Sequence, residues 1–189
     1  RKIHSSGGIV KVFIVGDPGK ITGEAKFHFD IVSRLPIEIK PIESSAMVKM
    51  DVYHCDAIVD AIFGAGLTRE VAGLDREVIE LINTSRKTVL SLDLPSGVNG
   101  DTGQIMGTAV NADYTVIFGL PKIGNMLFPG YELCGKLYVS HISFPPEMYD
   151  ADSMKVAINA PAVLPPRNIE GHKGSFGDVL FIAGAANYF

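Results

Sequence analysis

The sequence predicts an α/β fold, a mostly parallel sheet with helices on both of its faces. Three observations carry that prediction. Short apolar runs alternate with helix-like segments over the first half of the chain. Two of the runs end in an aspartate followed by a glycine-containing turn, Asp60-Ala61-Ile62-Phe63-Gly64-Ala65-Gly66-Leu67 and Asp93-Leu94-Pro95-Ser96-Gly97-Val98-Asn99-Gly100-Asp101-Thr102-Gly103. In open α/β sheets ligands bind at the carboxyl ends of the strands, so the two ends together offer a paired carboxylate site beside exposed backbone N–H groups. Finally, 47% of the 189 residues are hydrophobic, enough for the core of one full domain and a remainder.

The elements follow in order. Lys2 to Gly8 reads as the tail of a helix stopped by glycine. Ile9 to Val15 is a strand, closed by the turn Gly16-Asp17-Pro18-Gly19. Thr22 caps a helix that runs to about Arg34, and Pro36 ends it. A short strand over Ile37 to Ile39 and a poor helix around Ser44 to Met50 come next. Ala57 to Phe63 is a strand, Asp75 to Ser85 a helix with Val78, Ile79, Leu81 and Ile82 on its apolar side, and Thr88 to Leu92 a strand. Tyr114 to Phe118 and Lys136 to Ile142 are two more strands. Residues 119–135, rich in Gly and Pro, read as a loop-linked edge. A boundary falls after Pro145-Pro146, residues 147–166 have linker composition, and Asp178 to Ala183 has the pattern of a first strand in a second α/β domain.

Composition excludes several classes of function. The net charge is -4 with the charges interspersed, which leaves no footprint for nucleic acid or an anionic membrane. The apolar stretches are too short to span a bilayer, and no secretory signal is visible. Cys55 and Cys134 stand alone with no C-x-x-C spacing, which argues against structural zinc and fits a reducing cytoplasm. The chain opens at Arg1 and stops at Phe189, where a helix should begin. It therefore reads as an internal segment of a longer protein.

The chemistry-bearing residues sit at the two strand ends. Gly64 and Gly66, in Gly64-Ala65-Gly66-Leu67-Thr68-Arg69-Glu70, let backbone N–H groups approach an anion, and Arg69 adds positive charge. A plain strand-to-helix turn explains the same residues. The dinucleotide fingerprint G-x-G-x-x-G is broken, because Arg69 holds its last glycine position, and a hydride-transfer site is disfavoured. Asp93, at a strand end beside a proline-fixed turn, suits acid–base work or stabilisation of a developing positive charge. It is equally an aspartate that bonds its own turn. Asp60 and Ser96 are oxygen donors able to hold a hard cation, or else a helix-facing carboxylate and a turn cap. Asn99, Asp101 and Thr102 are turn formers. Lys122 is either a phosphate contact or a solvated loop lysine. His4, His28, His54 and His141 have no metal-site spacing, while His172 and Lys173 flank a glycine turn.

The two opening segments, with Thr115-Val116-Ile117-Phe118-Gly119-Leu120-Pro121-Lys122 and Gly135-Lys136-Leu137, closely resemble the NAD(P)H-hydrate epimerase family over residues 1–146. His172-Lys173-Gly174-Ser175-Phe176-Gly177, running on to Gly184, resembles the opening of an ADP-dependent NAD(P)H-hydrate dehydratase domain. Both in one chain, in this order, are similar to the bifunctional repair enzymes of bacteria and archaea. The resemblance implies a three-layer α/β/α Rossmann-like domain over 1–146, a linker or leading segment over 147–166, and the start of a ribokinase-like domain over 167–189. It implies interconversion of the R and S hydrates of NADH and NADPH (NADHX and NADPHX), followed by ADP-dependent removal of water from the S form. Asp93 would contact the substrate and serve catalysis, Gly64 to Glu70 would bind the substrate, and Asp60 with Ser96 would hold potassium. A small-molecule substrate, no nucleic acid, no membrane and a homo-oligomer are expected. The family's Gly-Asn-Asn-Gly-Gly-Asp-Gly phosphate loop belongs upstream of Arg1, so this piece alone is expected to show little of either activity. The competing expectations are a non-catalytic nucleotide- or partner-binding module and a small-molecule kinase.

Overall fold

In the computed structural model, the structure describes residues 1–149, 154, 156–158, 169–176 and 180. Six strands order the larger unit, Arg1–Phe144. They are β1 (Lys11–Val15), β2 (Glu38–Ile42), β3 (Ala57–Asp60), β4 (Thr88–Leu92), β5 (Tyr114–Phe118) and β6 (Lys136–Ser140). Every pairing among them is parallel. β1 pairs with β2, and β3-β4-β5-β6 form a four-stranded sheet in sequence order. The helices are α1 (Lys2–Ser5), α2 (Gly23–Val32), α3 (Lys49–His54), α4 (Gly73–Thr84), α5 (Ile123–Met126) and α6 (Gly130–Leu133). Parallel strands need crossovers, and the sequence supplies α4 between β3 and β4. The α/β class read from the sequence is the one observed.

Register explains which side chains share a face. Asp60, Ser91 and Thr115 lie in one row across β3, β4 and β5, as do Ile58 and Val89. Ser91, Thr115, Val89 and Asp60 are all buried, so this face meets the core. α4 covers it with Val78, Ile79 and Ile82. The Thr115 hydroxyl donates to the Cys134 carbonyl at 2.7 Å, tying the end of α6 to the same face. On the alternate face Val59, Tyr114 and Tyr138 are 49%, 39% and 46% exposed. Among the described residues, then, the helices joined to this sheet by these contacts lie on one side of it.

Several elements differ from the sequence expectation for physical reasons. The strand expected over Ala57 to Phe63 stops at Asp60, because the Phe63 N–H turns away to the Ser96 hydroxyl at 2.8 Å. Thr22 has extended N-cap geometry, but its side chain makes no capping bond. Residues 119–135 are not a bare loop. They hold two single-turn helices, α5 and α6, and β6 still pairs in parallel with β5. The poor helix near Ser44 is a 3-10 turn over Ser45–Met47 followed by α3.

The smaller unit spans Pro145–Phe189. Its described regular structure consists of 3-10 turns over Pro146–Met148 and Lys173–Phe176. The His172 N–H donates to the Ser175 hydroxyl at 3.3 Å. The strand expected over Asp178 to Ala183 lies, Leu180 apart, outside the described residues. No helix among the described residues is long and apolar enough to cross a membrane.

Candidate functional site

The end of β3 is organised around a buried carboxylate. Asp60 is 1% exposed. Its Oδ2 accepts from the Ser91 hydroxyl and the Ser96 N–H, both at 2.8 Å. Its Oδ1 accepts from the Ser96 hydroxyl at 2.5 Å and the Ile62 N–H at 3.3 Å. A carboxylate removed from water needs such donors, since an unpaired buried polar group costs about 1–3 kcal/mol and a charge more. No Lys or Arg forms an ion pair with Asp60 among the described residues. Its partners among the described residues are thus all neutral donors. The Ser96 hydroxyl also lies 3.3 Å from the Phe63 carbonyl. Carboxylate, hydroxyl and carbonyl oxygens therefore converge, a donor set of the kind that hard cations take, with each Asp60 oxygen already accepting two hydrogen bonds. No cluster of three or more His, Cys, Asp or Glu that could hold a metal occurs among the described residues.

Beyond Asp60 the chain opens out. Gly64, Ala65, Gly66, Thr68, Arg69 and Glu70 are exposed, and Leu67 is the one residue of the segment that is buried. A methyl group added at Gly64 or Gly66 would meet nothing within 4 Å. Packing does not demand these glycines; they leave space. The space is an open hollow of about 320 Å³, bordered by Ile62, Phe63, Leu67, Thr68 and Arg69 as well as both glycines. Arg69 stacks over the Phe63 ring at 5.4 Å and reaches Asp75 at 3.3 Å. Its cation is therefore held beside the hollow while its side chain stays 63% exposed.

The end of β4 is built the other way. Asp93 has φ 70, a left-handed conformation rare for a non-glycine residue and worth about 1–3 kcal/mol of strain. Neighbours hold it there. Its N–H donates to the Val116 carbonyl at 2.7 Å, and its carbonyl accepts from the Asn125 amide at 3.1 Å. Its Oδ1 accepts from the Lys122 ammonium and, at 3.2 Å, from the Phe118 N–H. The loop that follows is buried from Leu94 to Val98. Gly97 has φ 101, and a Cβ there would stand 2.0 Å from the Thr108 carbonyl oxygen, so only glycine fits. Asn99 closes the turn by accepting from the N–H groups of Asp101 and Thr102 at 3.0 Å. It also bridges the two loops, donating to the Leu67 carbonyl at 3.1 Å.

The structure thus brings Asp60 and Ser96 into direct contact and places Gly64, Gly66, Leu67, Thr68 and Arg69 around one hollow, with Ala65 and Glu70 exposed outside its lining. The two aspartates share no hydrogen-bond partner: Asp60 faces serines, Asp93 faces Lys122. Each carboxylate of the pair expected from the sequence sits in its own hydrogen-bond network. Two participants escape the sequence reading. Ser91 is a polar residue on the inward row of an apolar strand, a signal that alternation carries. Asn125 is fully buried and signalled only by its place three residues after Lys122. Lys122, read from the sequence as either a phosphate contact or a solvated loop lysine, is ion-paired with Asp93. Near these residues, burial pushes the Cys134 thiol pKa up.

Comparison with known proteins identifies the frame. The chain is 46% identical over its full length to the bifunctional NAD(P)H-hydrate repair enzyme Nnr of Thermofilum pendens, spanning 36% of that protein. It is 33% identical over 98% of its length to the enzyme of the same name from Moorella thermoacetica, again spanning 36% of it. It is 36% identical, over 66% of its length, to an NAD(P)H-hydrate epimerase of Anaerococcus prevotii, covering 58% of that protein. The chain therefore spans little more than a third of the first two relatives. A crystal structure of the yeast protein ynu0 (YNL200c) superposes with a TM-score of 0.64 over 79% of this chain and 61% of that one, at 18% identity, a likeness of fold. The family model described as YjeF-related protein N-terminus matches residues 1–124, which carry β1 to β5 and both strand ends, and the chain belongs to that family.

Proposed function

We propose that the chain takes part in repair of damaged nicotinamide nucleotides, interconverting the R and S hydrates of NADH and NADPH. The observation that carries this reading is similarity over this chain's full length, at 46% identity, to a protein named as a bifunctional NAD(P)H-hydrate repair enzyme, joined to a partly buried aspartate whose following loop is hydrogen-bonded, through Asn99, to the loop that borders an open hollow. In the full-length protein, ADP-dependent removal of water from the S hydrate follows. Residues 1–146 form the epimerase domain, 147–166 lead onward, and 167–189 begin the dehydratase domain. Two free cysteines without a disulfide framework support a reducing, cytoplasmic setting. The exposed sheet face that carries Val59, Tyr114 and Tyr138 supports a homo-oligomer.

The roles divide by strand end. Epimerisation at the hydrated ring carbon breaks the carbon–oxygen bond or opens the ring, and either route moves a proton or develops positive charge. Asp93 serves that stage as acid–base catalyst or as the counter-charge. Gly64 to Glu70 bind the nucleotide, with the glycines admitting it and Arg69 beside it. Asp60, Ser96 and the Phe63 carbonyl would hold potassium, which when bound supplies a fixed positive charge beside the substrate. The supporting observation is a buried carboxylate with no Lys or Arg ion-paired to it among the described residues.

The test uses the full-length protein and one purified hydrate epimer, with chromatographic separation of the two. Appearance of the other epimer well above the uncatalysed rate is the expected result. Exchange at the uncatalysed rate overturns the reading.

A further inference from the structure

We propose that Lys122 is a positioning residue, clamping Asp93 so that a single carboxylate oxygen, Oδ2, is left open to the substrate. This rests on the epimerase reading above. Asp93 Oδ1 is occupied twice, by the Lys122 ammonium and by the Phe118 N–H at 3.2 Å. Oδ2 accepts a hydrogen bond from no described residue, and the Asp93 side chain is 19% exposed. The carboxylate cannot turn about its own axis without giving up a charge-assisted bond, roughly twice as strong as a neutral one.

Lys122 is in turn held at three points, unlike a lysine on a solvated loop. Its ammonium donates to the Phe118 carbonyl at 3.0 Å as well as to Asp93. Its backbone N–H donates to Asn125 Oδ1 at 2.8 Å. Its side chain is 26% exposed and that of Asp93 19%. Asn125, fully buried, makes the second link: its Oδ1 takes the Lys122 N–H while its amide donates to the Asp93 carbonyl at 3.1 Å. One buried amide thus grips the backbone of both partners and fixes their separation. The strained φ 70 of Asp93 belongs to the same arrangement, since strain persists where surroundings over-determine a conformation. Reaction rates depend on such placement: a displacement of about 1 Å costs on the order of 100-fold.

A double-mutant cycle in the full-length protein tests this, with kcat and KM of epimer exchange measured for wild type, Lys122→Met, Asp93→Asn and the pair. Lys122→Met should lower kcat about 10- to 100-fold and leave KM within about twofold, the scatter expected of independent sites. In the double variant the loss should match that of Asp93→Asn alone within about twofold, because nothing remains to position. Multiplying losses, or a KM effect without a kcat effect, overturns the proposal. Where Lys122→Met fails to fold, Lys122→Gln carries the same cycle under the same criteria. A wild type that exchanges nothing overturns the epimerase reading itself. An active wild type with Lys122→Met at wild-type kcat overturns only the role of Lys122.

Discussion

The ends of β3 and β4 carry the same written signature, an aspartate and then glycines, and are built in opposite senses. At β3 the carboxylate is closed and the loop is open: Asp60 is buried with both oxygens engaged, while Gly64 and Gly66 face empty space. At β4 the loop is closed and the carboxylate more open: residues 94–98 are buried, while among the described residues only Oδ1 of Asp93 accepts hydrogen bonds. The difference shows that a motif names a location, and hydrogen bonding decides which of its atoms are left for a ligand. One end offers room and the other a partly exposed carboxylate, joined by the Asn99 bridge to the Leu67 carbonyl.

The comparison breaks first, and by the largest margin, at Asp93. Asp93→Asn should lower epimer exchange about 10²- to 10⁴-fold, the usual contribution of a general acid or base. Asp60→Ala acts on the fold as well as on the proposed ion site. It strands two serine hydroxyls and two N–H groups, and urea unfolding should show a loss of about 3–5 kcal/mol. Gly97→Ala should cost at least about 2 kcal/mol, because the new Cβ meets backbone in a left-handed conformation. Gly66→Ala, at the open loop, should leave stability within about 1 kcal/mol, since it only limits the unfolded chain.

Much of this was legible in the sequence, and what was not has a physical reason. β4 and β5 were read to the residue because their apolar runs are continuous and bounded. β3 was read three residues too long: Ala61 to Phe63 are apolar enough for a strand, and the Phe63 N–H leaves for Ser96, 33 residues away. No local pattern encodes that partner. Asp60 and Ser96 were paired as oxygen donors on two strand ends, and they touch. The Asp93–Lys122 clamp was missed because it depends on α5 forming inside a stretch rich in Gly and Pro. Gly124 and Gly130 there pack with added-Cβ distances of 2.3 Å and 2.4 Å to backbone oxygens, so those glycines mark close packing and not looseness.

The smallest expected effect separates the same two neighbourhoods through their thiols. Cys55, just before β3, is partly exposed, whereas Cys134, under the β4 end, is buried with its thiol pKa raised by burial. A raised pKa keeps the thiol protonated to higher pH, so it is the less reactive of the two. A thiol reagent should modify Cys55 in the native protein and Cys134 only after unfolding; equal rates for both would contradict the burial of the β4 end.

The most direct measurement is the steady-state kinetics of epimer exchange in the full-length protein for Asp93→Asn beside Gly66→Ala. The account predicts a split: kcat falls in Asp93→Asn with KM little changed, and KM rises in Gly66→Ala, where a methyl group enters the hollow, with kcat little changed. The reverse pattern, or a fall in kcat of the same size in both, would contradict the division of the site into a binding end and a reacting end.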